Sequence, residues 1–403
     1  MHMSPPPPHT TPESGPPPVP LGALVPLTRP GWTEAGRHLL AGLELGVDEV
    51  NAAGGIGGRP LELLVRDTAA DPGRAEAAVE ELAGLGVAAV AGEYHSVVAR
   101  AAAVRAEALG VPFLCSSAVL DALTEEPATW VARLAPAQSH GWRSYAGFLL
   151  AAGHRRIAVA RQASLYWETG TRILRDHLGQ RGGSVTELDA DALTPRELCD
   201  ALAEDGATAL LLLAGTPQPA VPLVRAVRAD RRLDGVLVGA PAGQPEFPRW
   251  LAALGADGAG VPFLRYLPER PGPPAVRVGE ALRARLGEEP SFVAYEGWDT
   301  VAVRGAADVR HRAGGCRAGL GGRGGRGHPG RDPVLPAAGD RGAAVGLAAG
   351  PGGRPGPGGA GAVPRTAPRL SPQGGAWPPE VREGLPAAVA RGPLFAQRTP
   401  KSV

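Results

Sequence analysis

The sequence predicts an α/β protein of two lobes, each a parallel sheet flanked by helices, followed by a C-terminal low-complexity region. Three observations predict it. Leu21 to Leu64 reads as strand, helix, strand, and a covering helix between two strands makes them parallel. Apolar segments of four to seven residues then recur as far as Val238, each followed by a polar loop and a helical stretch. After Val303 the pattern fails and Gly, Pro, Ala and Arg take over.

Residues 1–20 hold nine prolines and little that can pack, so a polyproline-like leader is expected. Leu21–Leu27 is the first strand, with a loop from Thr28. The helix after it places Leu39, Leu43 and Val47 at helical spacing, with Leu40 beside them. Gly54-Gly55-Ile56-Gly57-Gly58 ends it, because a chain that reverses within a few residues needs positive φ. The second strand is Pro60–Val65, and Asp71-Pro72 opens a helix over Arg74–Leu85. Val87–Gly92 is a continuous apolar strand of the kind buried on both faces, and its loop Glu93–Ser96 leads into a helix at Val97–Leu109. The strand Val111–Cys115 and the loop Ser116–Val119 follow.

A second set of units begins with Trp130–Leu134, read as a short crossing segment, and a helix at His140–Ala152. Strands are expected at Arg156–Ala160, Ser184–Leu188, Thr208–Ala214 and Gly235–Val238, with helices at Thr171–Gly179, Leu198–Glu204 and Val221–Arg228 between them. Helical stretches at 274–286 and 292–303 return to the first lobe. The expected division is a leader over 1–20, lobe 1 over 21–137, lobe 2 over 138–260, the return over 261–303 and the tail over 304–403. Each polar loop falls at a strand's carboxyl end, where open α/β sheets bind ligands.

The net charge of +1 conceals an asymmetry. From Arg304 onward fourteen Arg and Lys401 face five acids, a tail of +10, whereas residues 1–303, with 26 basic and 35 acidic residues, carry −9. An acidic body argues against nucleic acid as its partner. An Arg-Gly tail that bound RNA would lose affinity steeply with salt. Cys115, Cys199 and Cys316 are far apart and lack CxxC spacing, which suggests neither a disulfide framework nor a metal site. No apolar run is long enough to span a membrane, and the proline-rich start has neither the basic nor the apolar region of a signal peptide. The only lysine is Lys401, which implies GC-rich coding DNA, and a shifted frame of such DNA yields Arg, Gly, Pro and Ala. A frameshift near residue 303 therefore competes with a natural low-complexity extension as the origin of the tail.

Few catalytic patterns survive inspection. Gly54–Gly58 follows a helix and opens a strand, the reverse of a dinucleotide fingerprint, so it reads as a turn. A phosphate-binding Walker loop needs a lysine that the body lacks, and GxSxG and HExxH do not occur. With no nucleophile paired to a base, the sequence is read as no enzyme, without cofactor or metal. Ser96, at a strand's carboxyl end and a helix amino terminus, suits a donor to an anionic group and equally suits an N-cap of Val97–Leu109. Trp32, in the loop after the first strand, suits a pocket rim.

The run GALVPLT through NAAGGIGGRPLELLVRDTAADP resembles the opening of bacterial type I periplasmic ligand-binding proteins, the group of branched-chain amino acid, amide and urea receptors. The resemblance implies a two-lobed clamshell over about 21–303 that closes on a small polar ligand such as an amino acid, amide or urea derivative and delivers it to the permease of an ATP-driven (ABC) importer. It implies an extracytoplasmic or cell-surface location, although the chain as written would be cytoplasmic. It makes Ser96 a contact of the ligand carboxylate and the backbone at Ser117, Ala118 and Val119 a holder of the head group, Val119 standing where relatives carry a hydroxyl. Tyr166 matches an aromatic that closes over the ligand, with Trp167 in place of the following glycine. Thr216 and Pro217 replace aromatic positions, and Ala240-Pro241-Ala242 stands where amino-acid receptors place an acid for the ligand ammonium, leaving Glu246 as the nearest carboxylate. A desolvated ammonium without a partner is costly, so an amide, urea, aromatic acid or short peptide fits as well as leucine. The alternative is a cytoplasmic small-molecule sensor of the same fold that controls a regulatory partner.

Overall fold

The structure, a computed structural model, describes residues 16–124, 128–268, 270–302 and 344–347. The leader as far as residue 15, residue 303, most of the tail and Cys316 lie outside the described residues.

The first sheet comprises β1 (Val19–Val25), β2 (Leu61–Asp67), β3 (Ala89–Gly92), β4 (Phe113–Cys115) and β5 (Val131–Arg133), all parallel, in the order β2-β1-β3-β4-β5. Its helices are α1 (Thr33–Ala52), α2 (Pro72–Gly84) and α3 (Ser96–Leu109). Because side chains alternate along a strand, β1 serves two cores. Leu24 packs with Val79, Leu82 and Ala102 of α2 and α3, while Leu21, Ala23 and Val25 pack with Leu39, Leu43 and Val47 of α1. In the glycine turn after α1, Gly54, Gly55, Gly57 and Gly58 all have positive φ. A Cβ on Gly55 would lie 2.0 Å from the Arg59 carbonyl oxygen, so that position admits only glycine. Trp130–Leu134 is not a crossing segment: Val131–Arg133 is the fifth strand, in register beside β4. Its length hid it, since three residues give no periodicity to read.

The second sheet comprises β6 (Arg156–Arg161), β7 (Ser184–Asp189), β8 (Ala209–Leu213) and β9 (Leu237–Gly239), parallel in the order β7-β6-β8-β9. On one face α4 (Gln138–Ala151) and α5 (Leu165–Gly179) cover Leu211 and Leu213; on the other α6 (Pro195–Asp205), α7 (Ala220–Ala229) and α8 (Pro248–Leu254) cover Leu210 and Leu212. Helix ends follow local chemistry: Thr194 and Glu197 form a reciprocal cap at the start of α6, which ends at Gly206 with φ 67.

β10 (Pro262–Arg265) joins this sheet through a parallel bridge between Phe263 and Ala240, so the chain goes back to the first lobe only after residue 265, not at 261. It goes back as α9 (Pro273–Leu286) and a helix, α10, that begins at 292 and fills the described residues to 302. Both pack on α1. Arg277 pairs with Glu49 and Arg285 with Glu44 and Asp48, and the Trp298 indole N–H donates to Glu49 over 3.0 Å. Backbone meets backbone at Gly42, where a Cβ would come within 2.0 Å of the Ala294 carbonyl oxygen. Within the tail, which the sequence reads as without regular structure, Ala344–Leu347 form β11, antiparallel to β10. A short apolar quartet has found the open edge of β10.

Candidate functional site

The carboxyl ends of both sheets open into one cleft of 480 Å³. Trp32, Ala70, Tyr94 to Val98, Ser117 and Val119 line it from loops that follow β1 to β4. Gln162 to Ser164, Tyr166 and Trp167 line it from the β6 end, and Asp191, Gly215 and Ala242 to Gln244 from the ends of β7, β8 and β9. Tyr266 and Phe292, on the segments leading back to the first lobe, complete the wall.

The loop after β3 is organised by a carboxylate behind the wall. Glu93 is fully buried; it accepts the Thr68 hydroxyl over 2.7 Å and the backbone N–H groups of Tyr94 and His95 over 2.9 Å each. Burial outweighs these donors and pushes its carboxyl up to about 7. His95 beside it accepts the Trp32 backbone N–H at Nε2 over 3.1 Å, which assigns its proton to Nδ1. Burial lowers the imidazole to about 4, so His95 is neutral at physiological pH.

Ser96 is the first residue of α3 rather than its cap: His95 holds the cap position, and its side chain makes no capping bond. The Ser96 hydroxyl oxygen accepts the Val119 backbone N–H over 3.3 Å and so fastens the loop after β4. Arg133 fastens the same loop from beneath, donating to the carbonyls of Val119 and Leu120 over 2.9 Å each. Ser117 lines the cleft, and its buried hydroxyl has no hydrogen-bond partner among the described residues.

On the opposite wall the Gln138 side-chain amide donates to the Tyr166 carbonyl over 2.8 Å and holds that loop in place. Tyr166 meets Trp142 edge to face at 5.8 Å and Trp167 at 4.7 Å, and burial raises its phenol to about 12. Gln162 ties three strand ends together, accepting the Gly215 N–H and donating to Asp191, each over 2.7 Å. Trp32 rests on Phe247 with ring centroids 4.6 Å apart, and its indole N–H donates to Glu34 over 3.2 Å.

Of the residues singled out in the sequence, Trp32, Ser96, Ser117, Val119 and Tyr166 share this wall; Ala118, Thr216 and Glu246 do not. The Ala118 N–H is turned back onto the Glu93 carbonyl. At the β8 end Gly215 lines the cleft and Thr216 does not. Glu246 accepts the Tyr266 N–H over 3.3 Å with Arg265 3.6 Å away, and burial pushes it to about 7. Tyr94, Gln162, Asp191, Gln244, Tyr266 and Phe292 were not anticipated, although all but Phe292 lie within a few residues of a strand's carboxyl end.

One cluster among the described residues has the composition of a metal site. Glu34, His38 and Glu288 bring ligand-type atoms within 4.8 Å of one another. His38 accepts the Ser291 backbone N–H at Nδ1 over 2.9 Å, so its proton sits on Nε2, which donates to Glu288 over 2.9 Å. Both ring nitrogens are engaged, and the cluster is a joint between α1 and the turn before α10.

Residues 18–310 match the model of the family described as periplasmic binding protein. The chain belongs to this family. Among curated relatives, Leu/Ile/Val-binding protein homolog 8 of Brucella abortus (strain 2308) is 37% identical over 119 residues, a stretch that covers 29% of this chain and 29% of that relative. The leucine-binding protein of Thermotoga maritima superposes with a TM-score of 0.63 at 20% identity over 72% of this chain and 83% of its own. The branched-chain amino acid binding protein of Streptococcus pneumoniae, solved with isoleucine, gives 0.63 at 19% over 72% and 83%. A Rhodopseudomonas palustris solute-binding protein, solved with benzoate, gives 0.61 at 18% over 73% and 83%. At these identities the likeness is one of fold. No helix of this periplasmic binding protein is long and apolar enough, among the described residues, to cross a membrane.

Proposed function

We propose that the protein is the extracytoplasmic solute receptor of an ABC importer, that it takes a small polar organic molecule into the cleft between its sheets, and that it presents the closed form to a permease. The observation that carries this reading is the convergence of strand-end loops from two separate sheets on one cleft, joined by segments that cross back to the first lobe. Such a layout lets a solute touching both walls favour the closed arrangement, since a ligand shifts a conformational equilibrium by its differential contacts. Ser96, Ser117 and Val119 belong to one wall and Tyr166 to the other, as a solute bridging the two requires.

The test is a thermal-shift screen of the full chain against amino acids, amides, ureas and organic acids, with X-ray scattering of every hit. A true solute at about a hundred times its Kd stabilises by roughly 2.7 kcal/mol and reduces the radius of gyration. A panel in which nothing raises the melting temperature and nothing compacts the protein refutes the reading.

A further inference from the structure

The chemistry of the wall narrows the solute, an inference that rests on the cleft being the binding site proposed above. At one end every available group donates. Ser117, 6% exposed, has a hydroxyl without a partner among the described residues. The Ser96 oxygen already accepts the Val119 N–H, which leaves its own proton to give. Val97 and Val98, in the first turn of the fourteen-residue α3, line the cleft, and the neutral His95 does not cap that turn. Two hydroxyls and a helix amino terminus suit a carboxylate.

An ammonium finds no equivalent. Among the described residues Asp191 is the one acid in the wall; it is exposed, and its two oxygens accept from the Gln162 side chain and the Ala163 N–H. Glu93, Glu246, Glu34 and the buried Glu296 lie behind the wall, the first three engaged by Thr68 and two backbone N–H groups, by Tyr266 and Arg265, and by Trp32. The β9 end supplies Ala242, Gly243 and Gln244, an amide but no acid, to the wall. Much of the remaining surface is aromatic: Trp32 and Tyr94 on one wall, Tyr166 and Trp167 on the other, and Tyr266 stacked on Phe292 at 4.7 Å. Rings favour offset or edge contacts with another ring.

We propose that the cleft selects an aromatic monocarboxylate that carries no amino group, its carboxylate held by Ser96, Ser117 and the start of α3.

The experiment is calorimetric titration of the full chain with benzoate, benzamide, cyclohexanecarboxylate, L-phenylalanine and L-isoleucine. Benzoate is expected to bind at least about tenfold more tightly than each of the others. Ser117→Ala is expected to weaken benzoate about tenfold while leaving the melting temperature of the free protein unchanged, because the hydroxyl it removes has no partner to lose. If L-isoleucine or L-phenylalanine binds as tightly as benzoate, or if none of the five binds while another solute of the screen does, the aromatic-acid assignment is overturned and the receptor reading stands. If no solute binds at all, the receptor reading falls with it.

Discussion

Replacing Gly42 with alanine adds one methyl group where α1 meets α10, and the structure sets its cost. The new Cβ would lie 2.0 Å from the Ala294 carbonyl oxygen and 2.8 Å from the Trp298 nitrogen, both backbone atoms that no rotamer change can move. Comfortable nonbonded contact begins near 3.5 Å, so the helices must part by more than about 1 Å. Gly46 and Gly297 share the seam, where a Cβ would come within 2.7 Å of Val301 and 2.5 Å of the Leu39 oxygen, so the parting is felt along its whole length. Overpacking of this kind costs about 3 kcal/mol, and the better helix propensity of alanine returns about 1, leaving roughly 2 kcal/mol. That corresponds to a fall in Tm of about 4 to 8 °C. Gly147 in α4 is the control: its added Cβ meets nothing within 4 Å, so Gly147→Ala should raise Tm by a degree or two. Far-UV circular dichroism melts of both variants measure the pair. If Gly42→Ala melts at or above the parent temperature, or if both variants shift alike, the close packing of α1 on α10 is refuted.

Two further predictions concern buried polar groups. The Glu93 carboxyl is raised from 4.5 to about 7, so the folded protein binds its proton more tightly than the unfolded chain does. Its stabilising contribution is complete below pH 4.5 and is lost as pH rises to 7, about 3 kcal/mol at most. Glu93→Gln should flatten that part of the profile, since an amide can accept both backbone N–H groups and donate to Thr68; urea denaturation at pH 5 and pH 8 shows whether the slope survives. Tyr145, fully buried, donates its hydroxyl to the Pro262 carbonyl over 2.9 Å and thereby ties α4 to β10. Because that carbonyl also accepts the Ala240 N–H, Tyr145→Phe should cost only about 1 kcal/mol in urea melts, and a loss above 3 would mean that the hydroxyl has another role.

Much of this was legible in the residues. The continuous apolar runs at Val87–Gly92 and Thr208–Ala214 contain β3 and β8, which are buried along their whole length, as strands of a doubly covered parallel sheet must be. Trp32 and Ser96 were reachable because a strand's carboxyl end is fixed by pattern, whereas Ser117, Val119 and Tyr166 came from the family resemblance. Which residue of a loop then faces the cleft is fixed by the loop's own hydrogen bonds, and these are not periodic. Ala118 turns away because its N–H is taken by the Glu93 carbonyl, and Glu246 because it is folded back onto Tyr266. Asp191 and Gln162 escaped for the same reason: their importance lies in a bond between strand ends 29 residues apart. The strand Ala344–Leu347 was invisible in a stretch whose composition argues against any core.

The way α9 and α10 lie over α1 bears on how the chain comes off the ribosome. The five strands of the first sheet have all emerged by Arg133, yet the seam of α1 that holds Gly42 and Gly46 is covered only when residues near 294–301 appear. At ordinary synthesis rates that is a wait of roughly ten to thirty seconds. The strands β6 to β10, contiguous from Arg156 to Arg265, are complete before the wait ends. The amino-terminal half of the molecule is thus the later one to be finished, and during that interval its exposed helix is where a chaperone would find it.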